Sequence, residues 1–113
     1  MSDCIFCMIA NKEIESEIVY EDDKIAVFKD AGPVAPVHVL MVPKKHIDGI
    51  QFVTDDDAEL LSHMMLKIKD IADLCGLENG YRVVINSGED GQQTVQHLHI
   101  HIIGQRELTW PPG

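Results

Sequence analysis

The sequence predicts an α+β domain, on three observations. From His97 to Ile102, histidine and aliphatic residue alternate three times over, the period of two that marks a β-strand. From Thr54 to Gly76, apolar residues recur at helical spacing between a start signal and a stop signal. Between residues 17 and 29, two β-rich runs flank an acidic turn, the pattern of a hairpin. At 113 residues there is room for one domain, spanning 1–113, with a real core, and not for two.

Residues 5–11 read as a short helix with Ile5, Phe6 and Ile9 on one side. Ile18-Val19-Tyr20 and Ile25-Ala26-Val27-Phe28 form the arms of the hairpin around Asp22-Asp23. The segment 30–36 holds two prolines and a glycine, which exclude regular pairing and make a stiff loop. Val37 to Val42 is a third strand, closed by Pro43. Lys44-Lys45-His46 is then a small basic outcrop that could be no more than a solvated turn. Thr54 can cap the long helix, with Asp57 where a capping box wants an acid. Leu61, Met64, Ile68, Ile71 and Cys75 form its buried stripe. Gly76 ends it as a left-handed residue. After the Asn79-Gly80 turn, residues 81–86 form a fourth strand, and His97 to Ile102 a fifth.

On that fifth strand Leu98, Ile100 and Ile102 face a core, and His97, His99 and His101 share the opposite ridge. Neighbouring histidines on one face lie about 6.6 Å apart. The ridge could be a solvated face, although such faces usually mix Thr, Lys, Glu and Ser. It could hold metal, but not with all three rings on one ion, because the outer two are about 13 Å apart. It could also divide catalytic roles among three imidazoles, whose ordinary pKa suits nucleophile, base or acid near neutrality. Before it lies Ser87 to Thr94, a small, polar, glycine-containing loop of the kind that builds anion-binding nests. It would bring N–H groups, the Gln93 amide and the Thr94 hydroxyl beside the imidazoles.

A net charge of −10 argues against a nucleic-acid backbone or an anionic membrane as partner. The start lacks a basic region and no apolar run approaches 18 residues, so neither secretion nor membrane spanning is expected, and the cytoplasm is. An odd count of cysteines, Cys4, Cys7 and Cys75, reads as thiols. Cys75 belongs to the helix stripe. Cys4-Ile5-Phe6-Cys7 could be redox-active, half of a metal site, or chance.

The stretch from Gln93 through the alternating histidines to Ile103 resembles the signature of the histidine-triad (HIT) family. Cys4-Ile5-Phe6, Tyr20-Glu21-Asp22-Asp23, Pro36 to His46, Gly80-Tyr81-Arg82, Asn86 and the ending Trp110-Pro111-Pro112-Gly113 are similar to its Hint branch. The resemblance spans nearly the whole chain. It implies a five-stranded antiparallel sheet with one short and one long helix, joined in a homodimer as a ten-stranded sheet. The implied activity is hydrolysis of a purine nucleoside 5′-phosphoramidate or similar adenylate. By position, His99 matches the nucleophile, and His101, Asn86, Gln93 and Thr94 the phosphate-site residues. Asp30 matches the carboxylate that holds the ribose hydroxyls, and Ile5, Phe6, Ile9 and Phe28 the walls around the base. Some members bind zinc, and the matching ligands would be Cys4, Cys7, His46 and His97, with about one structural zinc per chain. The tail 108–113 would reach the partner's site and tune leaving-group preference.

Two residues depart from the Hint pattern. Thr94 stands where serine is usual and where dinucleoside-polyphosphate hydrolases carry threonine. Gln92 replaces an expected glycine, which would narrow the loop. The alternatives to a phosphoramidase are therefore a dinucleoside-polyphosphate hydrolase and a nucleotide-binding regulator without turnover. For the hydrolase, a neutral imidazole attacks phosphorus through Nε2 and water cleaves the nucleotidyl-histidine. No organic cofactor and no catalytic metal is required.

Overall fold

The computed structural model describes residues 3–113; Met1 and Ser2, part of the start searched for a leader, lie outside the described residues. Five strands, β1 (Ile18–Glu21), β2 (Ile25–Lys29), β3 (Val37–Pro43), β4 (Tyr81–Val84) and β5 (Ile100–Gly104), combine with two helices, α1 (Ile5–Ala10) and α2 (Ala58–Leu74). The strands make one antiparallel sheet in the order β1-β2-β3-β5-β4, the five-stranded sheet with a short and a long helix that was expected. No helix among the described residues is long and apolar enough to cross a membrane.

Strand alternation sorts the core into two layers. Val27, Val39, Met41, Ile100 and Ile102 face α2, where Met64, Ile68 and Ile71 close over them. Ala26, Phe28, Leu40 and Val42 face the other way and are covered by Phe6, Ile9 and Ala10 of α1. The triad histidines lie on this second side, so the ridge is not open. His97 is 0% exposed and His99 5%. Periodicity placed the histidines on one face correctly; that α1 packs over this face is tertiary information.

Three boundaries differ from expectation. The last strand begins at Ile100 and not at His97. Pro43 has no N–H to continue the ladder with this segment, its carbonyl takes the His97 ring instead, and the Leu98 N–H turns to Ile47 O at 2.7 Å. β4 stops at Val84, opposite His101, so Ile85 and Asn86 already belong to the loop. Cys75 caps α2 half-buried; it packs against the core without entering it. On α1, Phe6 and Ile9 are buried but Ile5 is 46% exposed. The start of α2 follows expectation: a 3-10 turn over Asp55–Asp57 carries the Thr54–Asp57 capping box, and Gly76 closes the helix with φ +75.

The β1–β2 turn is tied to α2 through Asp22. Its Oδ1 accepts the N–H groups of Lys24 and Ile25, and its Oδ2 accepts Tyr20 OH at 2.9 Å and His63 Nε2 at 2.7 Å. Burial pushes this carboxyl up, but the bonds from Lys24, His63, Ile25 and Tyr20 outweigh it and hold the pKa at about 2, against 3.8 ordinarily. The folded value lies below the unfolded one, so the stability it contributes is present above pH 4 and is lost as pH falls towards 2. That shift corresponds to about 2 kcal/mol. Asp22→Ala is therefore expected to lower stability by about 2 kcal/mol at pH 7. In urea titrations the gap to the parent protein should narrow between pH 4 and 2. A gap that does not change with pH would show that the ionised carboxylate is not what counts.

Candidate functional site

On the α1 side of the sheet, aromatic rings follow one another in a line. His46 meets His97 at 4.8 Å between centroids, Phe6 meets His97 at 6.0 Å and His99 at 5.0 Å, and His101 lies 5.1 Å from both His99 and His38. One end of the line is built like a metal centre and the other like a proton wire.

At the first end, one ligand atom from each of Cys4, Cys7, His46 and His97 lies within 4.8 Å of the others. His97 Nδ1 is 3.3 Å from Cys4 Sγ, 3.5 Å from Cys7 Sγ and 3.1 Å from His46 Nδ1, and His46 Nδ1 is 3.2 Å from Cys7 Sγ. A tetrahedral zinc with bonds of about 2.0–2.3 Å requires ligand atoms about 3.3–3.8 Å apart. The outer nitrogens settle the fit. His97 Nε2 donates to Pro43 O at 2.8 Å and His46 Nε2 to the Asp48 carboxylate at 2.7 Å, so both rings turn an Nδ1 lone pair inward, as metal-ligating histidines do. Burial, first of all, lowers the His97 pKa, which keeps that lone pair available. Two thiols and two imidazoles are a donor set for zinc.

At the other end Asp30, His38 and His101 also come within 4.8 Å of one another, but protons occupy the space. The Val34 N–H points at His38 Nδ1 at 3.2 Å, so that nitrogen must accept and the proton of His38 sits on Nε2. This Nε2–H donates to His101 Nδ1 at 2.8 Å, with Asp30 Oδ2 at 3.4 Å as a second neighbour. With Nδ1 accepting, the neutral His101 ring carries its proton on Nε2; the Asn86 Nδ2 sits 3.5 Å from that nitrogen, so a hydrogen bond there requires the carboxamide turned to present Oδ1. Burial lowers the His38 pKa. Burial and the nearby His99 and His38 push His101 to about 4, against the raising effect of Asp30. Both rings are therefore neutral at pH 7. Between the two ends, His99 Nδ1 is 2.7 Å from the His97 carbonyl, which fixes Nδ1–H and leaves Nε2 with the lone pair.

The family described as "Scavenger mRNA decapping enzyme C-term binding" matches residues 3–109. An uncharacterized HIT-like protein of Synechococcus elongatus is 50% identical over 111 residues, 98% of this chain and 97% of that one. A solved HIT family hydrolase of Legionella pneumophila superposes with a TM-score of 0.95 at 48% identity, over 98% of this chain and all of the other. A histidine triad protein of Clostridium difficile does so with 0.92 at 47% identity, over 96% of each chain. The chain belongs to the histidine-triad family.

Within this HIT fold the remaining candidates fall into place unevenly. Phe6, Ile9 and Phe28 pack together beside His99. Ile5 borders an open cleft shared with Cys4, Thr94 and Val95. Asp30 anchors its own loop through Gly32 N–H at 2.7 Å. Gln93 differs from the free amide that was expected. Its Nε2 donates to Asp48 O and Val95 O, and its Oε1 accepts from Gly88 N–H and Gln51, so it braces the loop from inside. Thr94 is exposed. Gln92 has φ +61, a left-handed position where glycine is easier, which explains why a glycine was expected there. The Lys44-Lys45-His46 outcrop is spent: Lys44 pairs with Glu21, Lys45 with Asp57, and His46 turns to the cysteines. His38 was missed. It is one histidine in an apolar run, and only the β3–β5 register, which pairs Leu40 with His101, brings it beside the triad.

Proposed function

We propose that this HIT chain is a hydrolase of purine nucleoside 5′-phosphoramidates and related adenylates that acts through a nucleotidyl-His99 intermediate. The observation that carries the reading is the pinned His99 tautomer, with a donor imidazole 5.1 Å away in His101. In the first step His99 Nε2 attacks phosphorus and the P–N bond breaks. His101 Nε2–H is offered to the phosphate oxygens, and the amine leaves with a proton taken from solvent, because the neutral His101 ring has no second proton to give. Water then attacks the same phosphorus, the P–Nε2 bond breaks, and the water's proton returns to solvent, which releases the nucleoside monophosphate and restores neutral His99. Asp30 holds the ribose, Phe6, Ile9, Phe28 and Ile5 the base, and Asn86 and the Gln93–Thr94 loop the phosphate. Zinc at Cys4, Cys7, His46 and His97 supplies a structural tie between the N-terminus and the sheet, and the working unit is a homodimer. The solved relative named a HIT family hydrolase supports hydrolysis as the reaction.

Rates with amine, acyl and polyphosphate leaving groups on one adenylate test the reading. Fastest turnover of the phosphoramidate is expected. Faster turnover of a dinucleoside polyphosphate would give the chain to that class, and tight AMP binding without turnover would make it a regulator. The tail adds a prediction. Trp110 is 81% exposed, and Arg82 holds the tail through Thr109 O at 2.8 Å, which supports a tail that reaches beyond its own sheet. Deleting residues 108–113 should change the ratio of rates among leaving groups about tenfold, roughly 1.4 kcal/mol, and AMP affinity much less. Unchanged ratios would remove the tail from the site.

A further inference from the structure

We propose that metal held at Cys4, Cys7, His46 and His97 raises nucleotide affinity by holding the His97–Leu98 peptide, whose carbonyl orients His99. The inference rests on the nucleotide reading above. One peptide group joins the two sites. Its carbonyl, from His97, holds His99 Nδ1 at 2.7 Å, and its N–H, from Leu98, is held by Ile47 O at 2.7 Å.

Both ends of this peptide are governed by candidate ligands. His97 contributes the carbonyl and puts its own ring among the sulfurs. Ile47 follows directly on His46, whose ring is the fourth member of the set. Ligation would therefore fix the peptide plane from two directions. His97 is 0% and Leu98 2% exposed, so a small shift of either anchor passes directly into the peptide plane. A second strut is Phe6, which lies between the two cysteines in sequence and sets its ring edge-on to His99 at 5.0 Å.

Without ligation, His46 and His97 keep their outer bonds to Asp48 and Pro43, and inside the cluster they have thiol contacts of 3.2–3.5 Å in place of shorter, directional metal bonds. The 97–98 peptide can then tilt, and His99 is released to exchange tautomers. Nucleotide should bind this mixed population more weakly. By linkage, nucleotide must tighten metal binding by the same factor.

The test uses the full chain loaded with cobalt(II), whose visible bands report the ligand field. Saturating AMP is expected to shift those bands, and His99→Ala, which breaks the link at its far end, to lose most of the shift. Chelated protein that stays folded by circular dichroism should bind AMP about twofold more weakly, the factor for an even mixture of tautomers. Long-range proton–nitrogen NMR should then find His99 divided between tautomers. Bands that ignore AMP while AMP binds would overturn the coupling. A full shift retained in His99→Ala would overturn the role of the His97 carbonyl. Failure of AMP to bind at all would instead count against the nucleotide reading. If chelation unfolds the protein, the cobalt bands still decide, because they need no metal removal.

Discussion

Replacing His99 with alanine is expected to lower kcat for an adenosine phosphoramidate by about 10³-fold or more, the scale lost when a covalent nucleophile is removed. AMP affinity should change only a few-fold, because the ribose and base contacts assigned to Asp30, Phe6, Ile9 and Phe28 remain. Since His99 is 5% exposed and packs on Phe6, the variant also leaves a small void and should lose about 1–2 kcal/mol of stability. It must therefore be assayed well below its melting temperature. The pH profile adds a check. His101 is held at about 4, so its donor form persists above pH 5, and loss of rate before that point does not belong to it. A His99→Ala variant with the parent rate would remove the nucleophile from this account.

The second large effect concerns the cysteines. Cys7→Ser should abolish stoichiometric metal, from about one zinc per chain to near none, by analysis of protein purified without chelator. It should also lower stability by on the order of 3 kcal/mol or more, because a structural zinc site supplies folding energy outright. For a domain of this size that is a fall of roughly 10 °C or more in melting temperature. The reason is local. α1 spans only Ile5–Ala10, too short to persist alone, and it carries Phe6, Ile9 and Ala10 over one face of the sheet. Cys4 also caps this helix, accepting the Cys7 N–H at 3.4 Å. A Cys7→Ser protein that keeps zinc and its melting temperature would sink the metal assignment.

Much of this fold was legible because its signals are local. The Thr54–Asp57 box, the Gly76 stop, the hairpin around Asp22-Asp23 and the period-two histidines each depend on residues within a few positions of one another. What was not legible depends on contacts across the sheet. Nothing near His97 or His99 says that Phe6, some ninety residues earlier, will cover them. Nothing in the run Val37 to Val42 says that His38 will direct the proton of His101. The early start assigned to the last strand failed for a similar reason, since the limit is set by Pro43 on a neighbouring strand. The Cys4, Cys7, His46 and His97 cluster was reachable only through resemblance, because these four residues have no diagnostic spacing of their own. Gln93 was named for the phosphate by the same route, while its buried amide is already bonded at both ends.

The measurement closest to the central claim is covalent. Protein mixed with an adenosine phosphoramidate is quenched within the turnover time by alkali or denaturant, since acid would cleave a phosphohistidine-type bond, and its peptides are weighed. The account predicts a nucleotidyl group on the peptide containing His99, mapped to that ring, appearing and decaying at rates compatible with turnover and absent from His99→Ala. An adduct on His97 or His101, or turnover with no adduct at any time, would contradict it.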